Sequence, residues 1–175
     1  DKTLEYGDEI ALDGANRVLT GLKIEYFSSE AAGQMVIRVR QIDGDPVAGA
    51  GAATFEPGTL SYETPAIDLA ANFNTIELNE LPSTGLGGRV LISVQLSGLS
   101  ASQQVGPLLR NPTVIGSSAD DIWIKDSAGD WALATIPGAT ANFAVEVTAV
   151  PEPATVLLSL LGGAVLFVAR RFKRA

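Results

Sequence analysis

Segments in which apolar and polar residues alternate with a period of two recur along the first 150 positions, and no stretch there carries a convincing helical stripe. Such alternation sends successive side chains to opposite faces of an extended chain, so each segment has one face to bury and one to wet. Val18, Thr20, Leu22, Ile24 and Tyr26 fall on one face of the first long segment, with Arg17, Lys23 and Glu25 on the other. Met35, Ile37 and Val39 alternate with Val36, Arg38 and Arg40, and Val90, Ile92, Val94 and Leu96 with Arg89, Ser93 and Gln95. Phe143, Val145 and Val147 alternate with Ala144, Glu146 and Thr148. Shorter candidate strands lie at residues 4–12, 59–63, 75–81 and 113–116. Residues 122–125 and 131–135 flank Asp126-Ser127-Ala128-Gly129-Asp130, which reads as a hairpin whose loop uses Gly129 for a positive φ. Asp13-Gly14, Asp43-Gly44-Asp45-Pro46, Glu56-Pro57-Gly58 and residues 85–88 are turn signals, and residues 49–53, all Gly and Ala, read as a loop. About nine short strands separated by turns predict an all-β body over residues 1–149, an antiparallel β-sandwich of jelly-roll or Ig-like type.

Composition narrows what such a body does. The 175 residues include no His and no Cys, so disulfides, zinc sites and Ser-His-Asp or Cys-His catalysis are excluded. A bound metal would be a hard cation on oxygen ligands, and catalysis would fall to carboxylates, Lys, Tyr, Ser or Thr. The net charge of −8 is unevenly divided. Residues 1–150 hold eight basic residues against nineteen acids, a net −11 that repels nucleic acid, while Arg170, Arg171, Lys173 and Arg174 crowd the last six positions.

The C-terminal part obeys different rules. Residues 154–169 carry no charge and include five Leu, three Val and one Phe. As a helix they would span about 24 Å, slightly short of a ~30 Å hydrocarbon layer, a gap that the flanking arginines can bridge by snorkelling. The basic residues 170–175 belong on the cytoplasmic side and the acidic body outside. Residues 150–153 are Val150-Pro151-Glu152-Pro153, whose two prolines stop the preceding strand and form an extended linker.

Pro151-Glu152-Pro153, then an apolar helix, then an Arg-rich end resembles the PEP-CTERM sorting signal, over residues 151–175. The resemblance implies an exported bacterial protein presented to exosortase, a membrane transpeptidase, with the cell surface, exopolysaccharide or biofilm matrix as the usual setting. Export also implies a signal peptide removed ahead of Asp1. The body is similar to one group of PEP-CTERM surface proteins in three stretches. These are Leu4-Glu5-Tyr6-Gly7-Asp8-Glu9-Ile10, then Gly116-Ser117-Ser118 leading to Trp123, then residues 131–137 followed by Asn142-Phe143-Ala144. That group implies no enzymatic activity.

Two candidate sites stand out from the body. Asp120, Asp121, Asp126 and Asp130 would converge at one end of the hairpin as a calcium site, although their spacing lacks the loop pattern that ends in a bidentate Glu. Trp123 and Trp131, on opposite arms, would make a sugar-stacking platform if exposed, with Tyr62 or Tyr26 as further candidates. No pair of acids is singled out for glycoside hydrolysis. The leading expectation is a non-enzymatic surface or matrix protein without a cofactor. Burying the nine large apolar side chains of its tail is worth on the order of 10–20 kcal/mol, which favours lipid or a bundle of identical tails, and hence a homo-oligomer or filament. The alternative is a module that binds exopolysaccharide.

Overall fold

The computed structural model describes residues 4–15, 17–47, 55–110, 116–119, 121–135 and 142–151. Among these residues are twelve strands and no helix. They run β1 Glu5–Ala11, β2 Val18–Ser28, β3 Gln34–Gln41, β4 Leu60–Glu63, β5 Ile67–Asp68, β6 Asn72–Gly85, β7 Arg89–Ser97, β8 Val105–Pro107, β9 Ser117–Ser118, β10 Ile122–Lys125, β11 Trp131–Ala134 and β12 Val145–Val150. An eight-stranded sheet has the order β11-β10-β1-β7-β3-β4, with β5 beside β3 and β9 beside β1. A four-stranded sheet has the order β12-β2-β6, with β8 beside β2. Every pairing is antiparallel.

The alternation explains how the two layers meet. Leu22, Ile24 and Tyr26 of β2 project from the small sheet into the same apolar cluster as Met35, Ile37 and Val39 of β3 and Val90, Ile92 and Val94 of β7. Each of these side chains is essentially sealed from water, which stabilises the fold by about 1.5–3 kcal/mol per residue. The all-β, antiparallel expectation is met by two sheets closing on one core.

Alternation fails at two places, each for a local reason. On β2 the register with β6 shifts between Leu19 and Gly21, opposite Glu80, whose φ is 57°. This bulge turns Leu19 into the core at 0% exposure and leaves Thr20 half-buried, with its hydroxyl donating to the Thr148 carbonyl at 3.2 Å. The face predicted to contain Thr20 is therefore corrected to contain Leu19. On β7, five consecutive residues from Val90 to Val94 are buried, because this strand is covered on both sides. β6 also outruns its expected limits, and the two- or three-residue strands β5, β8 and β9 carry too few residues to show alternation.

The β10–β11 hairpin forms as expected, pairing Ile122 with Ala134 and Lys125 with Trp131 around a loop in which Gly129 has φ +99°. Residues 113–115, 49–53 and 152–175, with the expected helix at 154–169 and the basic end, lie outside the described residues. Among the described residues, no helix is long and apolar enough to cross a membrane.

Candidate functional site

β1 places charged side chains on both of its faces, and neighbouring strands supply a partner for each. Its Glu5, Gly7 and Glu9 face away from the core, and Tyr6, Asp8 and Ile10 face into it. On the outward face Glu5 is 5% exposed. Its carboxylate lies 3.2 Å from Arg38 Nη1 and 3.2 Å from Arg40 Nε, and it accepts a hydrogen bond from the Ser93 hydroxyl. Arg38 also pairs with Glu63 and donates to Gln95 Oε1 at 2.9 Å. One buried carboxylate thus holds two guanidinium groups from β3 across β7.

Two residues along, Gly7 makes room. A Cβ at this position would come within 2.8 Å of the Leu91 side chain, so the close approach requires glycine. Trp123, paired with Gly7 across β10, is 1% exposed, and its Nε1 donates to Glu9 Oε2 at 3.2 Å. Glu9 Oε1 lies 2.9 Å from Arg89 Nε but accepts no aligned hydrogen bond, so that contact is an ion pair alone. Trp131 meets Trp123 edge to face at 6.4 Å, with Arg40 at 5.7 Å and Lys125 at 5.4 Å from its ring centre. Aromatic edges and cations over ring faces are both favourable electrostatic arrangements.

On the core side Asp8 is 1% exposed. Its Oδ1 accepts from the Ser118 hydroxyl and its Oδ2 from the Phe143 backbone N–H at 2.8 Å, tying β1 to β9 and to the residues that lead into β12. Burial pushes its carboxyl up to about 6, against the opposing pull of those two hydrogen bonds, with the charges of Asp121 and Glu9 adding to the rise. Asp8 also lines a cavity of about 480 Å³ between the sheets, shared with Asp13, Arg110, Ser117 and Glu146. Both carboxyl oxygens are committed to the fold, so Asp8 acts there as a tether that carries a proton at mildly acidic pH.

The predicted carboxylate cluster does not assemble. Asp121 precedes β10 and Asp126 follows it, so the strand separates them by about 16 Å along the chain. Asp126 Oδ1 accepts from the backbone N–H groups of Ala128, Gly129 and Asp130 at 2.8, 2.9 and 3.0 Å, a side-chain-capped turn. Asp130 sits in that same loop, Asp120 lies outside the described residues, and no group of three or more acids among the described residues could hold a metal.

The predicted sugar platform is likewise divided. Trp123 is enclosed and offers no ring face, whereas Trp131 remains half-buried at the edge of the sheet. Tyr26 is 3% exposed, with its hydroxyl accepting from the Ala70 N–H at 3.0 Å, and Tyr62 packs against the core. What sequence reasoning missed is the set Glu5, Glu9, Asp8, Arg38 and Arg40, although β1 shows an audible anomaly: acids at three of five consecutive positions in a segment with strand character. Ser118, Trp123 and Phe143, which meet these acids, all belong to the stretches noted above for their resemblance to surface proteins.

At the other end of the body, β12 finishes at Val150, whose carbonyl accepts from Arg17 N–H at 3.2 Å, and Pro151 follows it, exposed. Glu152, Pro153, Arg170, Arg171, Lys173 and Arg174 lie outside the described residues. Residues 149–174 match the family model of the PEP-CTERM protein-sorting motif. No curated protein and no solved structure matches the chain.

Proposed function

We infer that the PEP-CTERM protein-sorting motif matched at residues 149–174 marks an exported protein handled by exosortase at the membrane. We propose that it is a non-enzymatic structural component of the cell surface or extracellular matrix, whose sandwich is carried outside and presented to exosortase by residues 149–174. The match to the sorting motif is the observation that carries this reading. The setting of the motif supports it: the exposed Pro151 directly follows the last strand and has no N–H to donate to the sheet, so strand pairing stops where the Pro-Glu-Pro sequence begins. Before processing, the apolar residues 154–169 hold the chain in the bilayer with residues 170–175 in the cytoplasm. The test is localisation in cells that possess exosortase. Protein with the unaltered motif reaches the surface or medium, and a variant with Pro151, Glu152 and Pro153 all changed to Ala accumulates in the membrane fraction. Equal release of both forms contradicts the reading.

A second reading, a module for an exopolysaccharide, is supported by the partly exposed ring of Trp131 beside Arg40 and Lys125. Affinity electrophoresis in gels containing secreted polysaccharide tests it. Retardation lost in Trp131→Ala supports it, and unchanged mobility of the parent protein contradicts it.

A further inference from the structure

The two sheets end in strands of very different length. β11 and β4 close the large sheet with four residues each, whereas β12 and β6 close the small sheet with six and fourteen. Among the described residues β6 pairs with β2 along one side, and no strand lies along the other. A free side of this length presents a row of backbone N–H and C=O groups that can receive a further strand. Its second half is protected: Glu80 has a φ of 57°, and Pro82, without an N–H, follows two residues later. Asn72, at the other end, also has a positive φ, 72°, so the regular stretch is the seven residues from Phe73 to Asn79. Glu77 is the one charged residue within it.

The inner face of β6 is unfinished over the same stretch. Ile76 and Leu78 pack against the core yet remain half-buried. Their register partners on β2, Ile24 and Leu22, are sealed at 0% and 2% exposure. The apolar rows of the small sheet therefore stop at β6 with part of two large side chains in water.

We propose that the free side of β6 pairs antiparallel with the same strand of a second copy, about a twofold axis at Ile76, and joins the two small sheets into one. Ile76 is the midpoint of the regular stretch, so Phe73 opposes Asn79, Asn74 opposes Leu78 and Thr75 opposes Glu77, and both positive-φ residues fall outside the ladder. On the inner face Ile76 meets its own copy, which carries the row from Ile24 across the axis and covers the side chains left half-buried. Other registers are worse. An axis at Glu77 sets two carboxylates directly against each other, and an axis at Thr75 sets Ile76 against Asn74 and leaves Asn79 beyond the partner strand. An antiparallel edge is complementary to itself, and here the side chains are too, so the occupant is a second copy meeting the first by the same patch. A seven-residue ladder is small beside a standard interface, so the contact is weak and forms where copies are crowded together. It lies wholly within residues 73–79 and goes beyond the sorting motif, on which it does not depend.

The absence of cysteine from the chain makes introduced thiols the sole ones. Full-length Thr75→Cys and Glu77→Cys, both at exposed positions, are purified in mild detergent, checked for parental circular dichroism and oxidised separately and as an equimolar mixture. Opposed residues of an antiparallel pair have Cα atoms about 4.5–5.5 Å apart, within reach of a disulfide, whereas diagonal neighbours at about 7–8 Å are beyond it. The pairing predicts a disulfide-linked dimer from the mixture at several times the yield of either variant alone. A mixture of either variant with Leu133→Cys, on the edge of the large sheet, should give no such increase. Sedimentation equilibrium of two further variants reads the same contact without thiols. Thr75→Lys faces Glu77 of the other copy twice in each dimer and should tighten association several-fold at low salt, and Thr75→Glu should weaken it by a similar factor. Cross-linking of Leu133→Cys as efficient as that of the mixture would overturn the proposal, because the tails alone would then be bringing copies together. A mixture that stays monomeric would overturn it whether the free side of β6 remains bare or takes a strand of a different protein. Equal association by Thr75→Lys and Thr75→Glu would overturn it as well.

Discussion

The two outer faces of the sandwich are built from the same alternation and end up with different interiors. On the small sheet the outward residues Lys23, Glu25, Thr75, Glu77, Glu146 and Thr148 remain half-buried or exposed, and the strands read as one wet face over one dry one. On the large sheet the outward side chains of Leu91, Ser93, Glu5 and Trp123 are almost wholly withdrawn from water. The difference arises from one residue without a side chain and one with the largest. Gly7 leaves a gap on β1, and Trp123 and Leu91 close over it. Once that lid is in place the charges around it lose solvent and must find one another, as Glu5 does with two arginines and Glu9 with Trp123 and Arg89.

The contrast is broken most severely at the lid. Trp123→Ala should lower unfolding free energy by about 3–5 kcal/mol in urea denaturation, since it empties a fully enclosed site and removes the donor to Glu9 Oε2. Next is Asp8, on the inner side of the same strand. Its folded value of about 6 against an ordinary 3.8 means that the folded chain keeps a proton the unfolded chain releases. The stabilisation is therefore complete below pH 3.8 and is lost as pH rises through 6, by about 3 kcal/mol. The parent-minus-Asp8→Asn difference in stability across that range measures it, because the amide does not titrate.

Removal of the charge that gathers Arg38 and Arg40, in Glu5→Ala, should cost about 2–3 kcal/mol, toward the low end for a buried pair because both arginines keep some water. Gly7→Ala should cost about 2 kcal/mol by forcing a methyl against Leu91. On the wet face, Glu25→Ala or Glu146→Ala should stay within about 0.5 kcal/mol. A small-sheet substitution as damaging as Glu5→Ala would erase the distinction between the faces.

Much of this architecture is written in the period-two pattern, and the exceptions have identifiable causes. Met35, Ile37 and Val39 were assigned to the core by spacing alone, and the structure seals all three. Thr20 leaves the face that alternation gives it because a bulge against β12 puts it out of register between Leu19 and Gly21, with no compositional sign beyond an ordinary Thr-Gly pair. Leu91 and Ser93 look like solvent-facing positions, and their burial follows only from the strand order that sets β1 between β7 and the strand of Trp123, which joins segments about thirty positions apart. The aspartates around the hairpin are close in sequence, yet strand geometry sends Asp121 and Asp126 to opposite ends of β10. The charged cluster on β1 was legible only as an excess of acid in a strand, because its partners come from β3, β7, β9 and β10. The sorting motif is a contiguous tripartite pattern, legible without any fold, and residues 149–174 match it.

The central claim is that this chain is exported and handled at its C-terminal motif, and intact mass spectrometry tests it most directly. Protein recovered from exosortase-bearing cells should end near Pro151-Glu152-Pro153 and lack the mass of residues 154–175, while protein from cells without exosortase should retain it. A mature chain that extends to Ala175 in both backgrounds would contradict the account.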